Sequence, residues 1–320
     1  MKTILITDTH FGTRQNSNTW LSSQMDFLEK QLIPYIKSAG DVRLVHLGDV
    51  FDSRSTISTM VATKVVEVFK KISGLVKEFI IIGGNHDFYS PNSDEVDTLN
   101  LLLGSLNIKI VTKNILIDKE AKHLYVPWYQ WIESPQMIQS LIDDNGIIRV
   151  FTHADIINEP VNINCQEIYS GHIHIPELKG KLRNLGSTYA LNFADANSKR
   201  GFYVICENGQ LVFIENKESI KFHRLYNSDI FTVPDWDKND YIEMYISQSN
   251  LADAFYIDEI NHIIKTWKNV WLIPQTESND LQISESQDKF EGYDIETIVS
   301  KLIPENLKDK FEQVLSVCKS

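Results

Sequence analysis

Five short segments carry side chains able to bind metal ions: Asp8-Thr9-His10, Gly48-Asp49-Val50-Phe51-Asp52, Gly83-Gly84-Asn85-His86-Asp87, Thr152-His153-Ala154 and Gly171-His172-Ile173-His174. Their donors are carboxylate, imidazole and amide groups with no thiolate. That set favours manganese, iron or zinc in mixed oxygen–nitrogen coordination. Asp49 has two carboxylate oxygens and suits a bridge between two ions. Two ions roughly 3.5–4 Å apart polarise a phosphoryl oxygen, activate a water and stabilise the oxygens of an in-line displacement. In an extended D-x-H unit both side chains leave the same side, so Asp8 with His10, and His172 with His174, each deliver two ligands to one face. His86 follows Asn85 and so points elsewhere in an extended segment. That suits an imidazole that protonates a leaving oxygen or holds a reacting phosphate. Asp87 can orient His86 or fix the loop.

These segments run from residue 8 to residue 174, so the fold must gather them. Each comes directly after a predicted strand, at residues 4–7, 42–47, 79–82, 147–152 and 167–169. In open α/β sheets the carboxyl ends of strands face the ligand crevice. Leu21, Met25, Leu28, Leu32 and Tyr35 lie on one face of a first helix, and Val61, Val65, Val68, Ile72 and Leu75 on one face of a second. Further strands are expected at 109–111, 115–117 and 123–126. The alternation predicts an α/β layered fold with a sheet buried on both faces. Beyond residue 200 the texture changes. Asn208-Gly209 between alternating apolar runs predicts a hairpin of 201–207 with 210–215. A strand at 241–246, a helix near 251–266 and a strand at 270–273 predict a small α+β appendage. Residues 276–292 are polar and acidic, and 294–303 and 306–317 read as two short helices broken at Pro304-Glu305. The domain reading is 1–225, an appended domain 226–275, a linker 276–291 and a helical pair 292–320.

Composition narrows the partners. The 320 residues are 42% hydrophobic and 23% charged, with a formal net charge of −12. That acidity argues against binding nucleic acid through a broad basic face. Lys179, Lys181, Arg183, Lys199 and Arg200 are the local basic clusters that could contact phosphates. Cys165, Cys206 and Cys318 are too far apart for a thiolate metal site or a disulfide framework. No apolar run is long enough to cross a membrane. The apolar start breaks at Asp8, too soon for a signal peptide, so a cytoplasmic location is expected. His46 reads as core, His123 as the start of a strand, and His223 and His262 as exposed or structural.

The motifs D-x-H, G-D, G-N-H-D, a lone His and G-H-x-H resemble those of the calcineurin-like metallophosphoesterases, over roughly residues 1–220. Thr152-His153-Ala154, Gly171-His172-Ile173-His174, Asn184-Leu185-Gly186-Ser187-Thr188, Asn192-Phe193 and Lys199-Arg200-Gly201 are similar to the SbcD nuclease branch. The compact length looks most like that branch's T-even-phage members. The resemblance implies a sandwich of two β-sheets flanked by helices, with a capping domain that positions DNA. It implies that Asp8, His10, Asp49 and His174 hold one metal, that Asp49, Asn85, His153 and His172 hold the other, and that His86 is catalytic. It also implies manganese, 3′-to-5′ exonuclease and single-strand endonuclease action, a homodimer, and an SbcC-like coiled-coil ATPase partner. The apolar spacing of Ile298, Leu302, Leu307, Phe311, Val314 and Leu315 would suit docking on that ATPase. Many wider-family members carry a second histidine shortly after G-D. Here Asp52 stands there, and with Asp87 it is a candidate for supporting the ligands from behind or for binding Arg54. Ser53 before Arg54 departs from the protein-phosphatase pattern. Two other readings remain: a phosphodiesterase or phosphatase of the same fold acting on a non-DNA substrate, and a scaffold that regulates an ATPase.

Overall fold

The apolar runs of the first half place successive side chains in two different cores. In β1 (Lys2–Ile6) and β2 (Val42–His46), Ile4, Ile6 and Leu44 pack outward with helical residues such as Phe27, Leu28 and Phe69. Leu5 and Val45 pack inward with Tyr125, Phe151 and Tyr169. This two-sided burial is what a run without polar alternation encodes. A computed structural model describes residues 1–90, 93–158 and 163–275. Met1–Gln275 form one compact unit.

The remaining strands are β3 (Glu78–Ile82), the β4 (Phe88–Ser90) and β5 (Ser93–Asp97) ribbon, β6 (Lys109–Val111), β7 (Leu116–Asp118), β8 (His123–Val126), β9 (Arg149–Thr152), β10 (Glu167–Ser170), β11 (Glu177–Lys179), β12 (Leu182–Asn184), β13 (Gly201–Ile205), β14 (Leu211–Glu215), β15 (Phe222–Tyr226), β16 (Tyr241–Ser247) and β17 (Asn269–Gln275). One six-stranded sheet has the order β14-β13-β1-β2-β3-β6 and the other β11-β12-β10-β9-β8-β7. Their central strands are parallel, with β13, β14, β7 and β11 antiparallel to their neighbours. The second sheet's outer face packs Leu124, Val126, Val150 and Ile168 with Trp131, Ile138 and Ile142 of helices Trp128–Glu133 and Pro135–Asn145. The layers are therefore helix, sheet, sheet, helix: the layered α/β class is the one the alternation predicted, with a second sheet that only the family resemblance implied.

Two local departures have physical causes. The first helix is not regular: α-helical Asn18–Asp26 passes through a π-helical turn, Phe27–Leu32, into Ile33–Ala39. Pro34 lacks an N–H and its ring would clash with the Lys30 carbonyl, and the wider turn relieves both faults. The other departure is β15, in a stretch to which the sequence pattern assigns no element. It pairs in parallel with β16, and β16 with β17. Ile242, Met244 and Ile246 on one face of β16 are fully buried with Ile260 and Ile263 of helix Ala254–Thr266. The linker and helical pair read at 276–320 lie outside the described residues.

Candidate metal centre

All five segments follow strands, and the two sheets present them at one rim. β1, β2 and β3 lead to Asp8, Asp49 and Asn85, while β9 and β10 lead to His153 and His172. The extended geometry expected for D-x-H and H-x-H does not occur. Asp8 (φ 50°), His10 (φ 40°) and His172 (φ 77°) have left-handed backbones, as does Asp49 (φ 53°). The chain instead coils past β1 and ties itself to the next loop. Asp8 N donates to Gly48 O (3.0 Å), His10 N to Asp49 O (3.0 Å) and Phe11 N to Val50 O (2.8 Å). Such conformations are costly away from glycine and persist where the surroundings over-determine them. Gly48 (φ 114°) shows how tight the rim is, because a Cβ there would lie 2.6 Å from His153 Nδ1.

The donor atoms form connected clusters. His10 Nε2 and His174 Nε2 lie 3.7 and 3.8 Å from Asp8 Oδ1. Asn85 Oδ1 lies 3.1 Å from both His153 Nε2 and His172 Nδ1. Asp49 Oδ2 lies 3.6 Å from His10 Nε2 and 3.3 Å from His153 Nε2, so one oxygen stands between the two groups. Asp8, His10 and His174 form one potential ligand group, and Asp49, His153 and His172 another. His86 joins His10 and Asp49 in a third.

Two observations show that these residues fit metal ions. Bonds of roughly 2.0–2.2 Å to one ion separate neighbouring donors by about 3–3.5 Å, close to the spacings here. Both nitrogens of His10 are buried without a hydrogen-bond partner, although carboxylates lie beside them. Charge points the same way. Burial raises Asp8 and Asp49, but the surrounding histidines overcome it and hold both carboxyls well below the usual range. Burial lowers His10, yet Asp52, Asp8 and Asp49 push it up to about 10. Burial likewise lowers His153, and Asp49 and Asp8 push it up to about 9. A buried pair of carboxylates thus demands nearby positive charge, which divalent cations supply while leaving imidazoles neutral.

The supporting residues have definite tasks. Asp87 is fully buried. Its carboxylate accepts from Asp49 N (2.9 Å), Gly84 N (3.0 Å), Val50 N (3.0 Å) and Phe51 N (3.3 Å). It fixes the loop and stitches it to the one carrying Asp49, and does not orient His86 directly. Asp52 Oδ1 lies 3.4 Å from His10 Nδ1, behind that imidazole. A carboxylate so placed orients a ligating histidine and raises its basicity. The Asp52 carbonyl meets His86 Nδ1 at 2.6 Å, which fixes the tautomer with Nε2 unprotonated when the ring is neutral. His86 N also donates to Asp49 Oδ1 (2.9 Å).

The basic residues divide. Lys179 is exposed. Lys181 donates to Ile163 O, Arg183 lies 3.9 Å from Glu167 and Lys199 3.5 Å from Glu215. Arg200 is buried and paired with Asp195 at 2.8 Å, so it braces the chain after β12 rather than standing at the surface. His46 is buried between Thr9 Oγ1 (2.9 Å) and Gly48 N (3.2 Å), tying together two ligand-bearing loops. His223 pairs with Asp240, and His262 is exposed. Sequence reasoning missed Trp128, whose ring centroid lies 4.8 Å from that of His172. It also missed Gln24, whose Nε2 donates to Thr9 O (2.9 Å) and supports the first loop. Neither residue lies in a metal-binding motif.

The family comparison agrees with this geometry. A family model described as calcineurin-like phosphoesterase matches residues 1–281. Exonuclease subunit 1 of Enterobacteria phage T4 is 24% identical over 240 residues, covering 70% of each chain. Among solved structures, a protein of unknown function from Aquifex aeolicus matches at a TM-score of 0.28 and 16% identity, over 56% of this chain and 82% of its own. No helix among the described residues is long and apolar enough to cross a membrane.

Proposed function

Because the chain belongs to the calcineurin-like phosphoesterase family, we propose that its metal centre cleaves DNA phosphodiesters, as the nuclease subunit of a recombination and repair complex. The observation that carries the choice of DNA is the similarity to phage T4 exonuclease subunit 1, which spans 70% of both chains. Two manganese ions are the proposed cofactors. Asp8, His10, Asp49 and His174 would hold one, and Asp49, Asn85, His153 and His172 the other. When bound, the ions activate a water and neutralise charge on the phosphoryl oxygens. The protein's own groups do the rest. Asp87 holds the Asp49 loop, and Asp52 holds His10 and, through its carbonyl, His86. As an imidazolium, with Nδ1–H on the Asp52 carbonyl and a second proton on Nε2, His86 would donate that Nε2 proton to the leaving oxygen or clamp the phosphate, and is not a ligand. The proposed actions are 3′-to-5′ exonuclease and single-strand endonuclease cleavage.

The net charge of −12 favours delivery of DNA by a partner. The proposed partner is an SbcC-like ATPase with a coiled coil, docked by residues 292–320, with the nuclease as a homodimer. Residues 226–275 would form the cap that positions DNA, with Lys179 and Lys199 as exposed candidate phosphate contacts. The test is cleavage of linear and single-stranded DNA with manganese, with and without the cognate ATPase. Cleavage that a chelator abolishes supports the reading. Hydrolysis of small aryl or cyclic diesters with every DNA left intact, even beside the ATPase, would sink it.

A further inference from the structure

Trp128 stands at the mouth of the metal centre, and neither the ligand set nor the proton donor accounts for it. It opens helix Trp128–Glu133 directly after β8 and Pro127, on the rim that carries the ligands. Its backbone N–H donates to Gly83 O (3.0 Å), which pins it to the loop bearing Asn85 and His86. Its ring lies 4.8 Å from the His172 ring at 44° and 6.2 Å from the His153 ring at 63°. The residue is only half-buried, so it is partly open to solvent as well as packed beside the imidazoles. Tyr129 next to it is also partly exposed.

The chain must grip its substrate with little positive charge. Lys181, Arg183 and Arg200 are each engaged with the protein, and of the candidate contacts Lys179 and Lys199 remain exposed, Lys199 with Glu215 3.5 Å away. An aromatic face offers a grip that does not depend on charge, because every nucleobase has a π-face to stack on. We propose that Trp128 is the platform on which the base adjoining the reacting phosphodiester stacks, so that it positions single-stranded substrate over the metals. The inference rests on the nuclease reading above and extends it to a substrate-positioning residue. It implies a requirement for a base, of any identity, beside the cleaved bond.

The experiment pairs Trp128→Ala and Trp128→Phe with oligonucleotides carrying a normal, a 2-aminopurine or an abasic residue at the 3′ end. Binding is followed with calcium in place of manganese, and cleavage with manganese. Elemental analysis of bound metal reports the metal centre alone, and hydrolysis of bis(p-nitrophenyl) phosphate reports whether wild type is an active diesterase. On the normal oligonucleotide, Trp128→Ala should bind about tenfold or more weakly with a matching rise in KM, and Trp128→Phe should recover most of it. On the abasic oligonucleotide, wild type and Trp128→Ala should bind alike. Quenching of 2-aminopurine should be seen with wild type and lost in Trp128→Ala. Equal loss on normal and abasic strands, or loss of bound metal, would show that Trp128 merely props His172, and would overturn the proposal. If wild type binds and cuts DNA but shows no dependence on the terminal base, only the Trp128 assignment falls. If wild type hydrolyses the aryl diester yet neither binds nor cuts DNA, the nuclease reading falls and takes this proposal with it.

Discussion

His86 and Asp87 are neighbours with separable tasks. His86 Nδ1 is committed to the Asp52 carbonyl, which leaves its other nitrogen for chemistry. His86→Ala should therefore keep both metals by elemental analysis while cleavage drops about 10²- to 10⁴-fold, the usual worth of a positioned acid or base. Metal lost along with activity would show that His86 is itself a ligand, as its place beside His10 and Asp49 allows. Asp87→Ala should behave differently. It strands four backbone N–H groups that now share one buried carboxylate. Removing a buried acceptor costs about 1–3 kcal/mol per unsatisfied donor, less where the loop relaxes. Urea unfolding should show a loss of at least about 2 kcal/mol, with weaker metal retention. An unchanged midpoint would contradict the stitching role. At this scale the sequence was informative about identity and poor about conformation. The donor types and order marked all seven ligand candidates. The extended-segment argument failed because Asp8, His10 and His172 adopt left-handed backbones, which depend on tertiary hydrogen bonds that no local pattern encodes. Trp128 stayed hidden because it carries no titratable group and lies between motifs.

Elements are tied at both ends of the sandwich, not only at the metal rim. At the opposite end of the strands, Arg43 of β2 reaches across to β7 and β8 of the other sheet. Its guanidinium pairs with Glu78 and Asp118, and its Nη1 meets His123 Nδ1 at 3.1 Å. Arg43 is an obligate donor here, so His123 must keep Nδ1 unprotonated. Burial, then the Arg43 and Arg149 charges, push His123 down to about 4. An unfolded histidine titrates near 6.5. Between these values the unfolded chain binds more protons than the folded one. The stabilisation is thus complete above pH 6.5 and is lost as pH falls toward 4, by of order 3 kcal/mol. His123→Gln keeps an acceptor for Arg43 without a proton to bind. The difference between wild-type and His123→Gln stability should therefore change within this pH window and be flat above it. A constant difference would exclude His123 as the sensor. The strands themselves were legible wherever apolar runs were long. β15 was not, because Phe222-His223-Arg224-Leu225-Tyr226 mixes buried and charged residues, and only its pairing with β16 makes it a strand.

Over the whole molecule, catalysis and partner binding should be separable. The metal centre draws every ligand from residues 8–174, whereas the proposed docking segment is 292–320. Deleting 292–320 should abolish capture by the ATPase while metal content, thermal unfolding and aryl diester hydrolysis stay as in the full chain. Persistent complex formation would reject docking through that segment. The layered α/β class was legible from the alternation of strands and helices, and the second sheet only through the family resemblance, whereas the choice of substrate was not legible, because net charge and family resemblance point in opposite directions. The metal centre also has a consequence for how the protein comes into being. His172 N donates to Asp8, 164 positions away, and Thr7 N to Thr188, 181 positions away. Contacts of such high order form only after long loops have closed, which makes them slow relative to local structure. Each half-site takes residues from both sheets, so a nascent chain can complete neither until both sheets have formed and met. Metal uptake is therefore a late event in folding, and its rate would clock the docking of one sheet on the other.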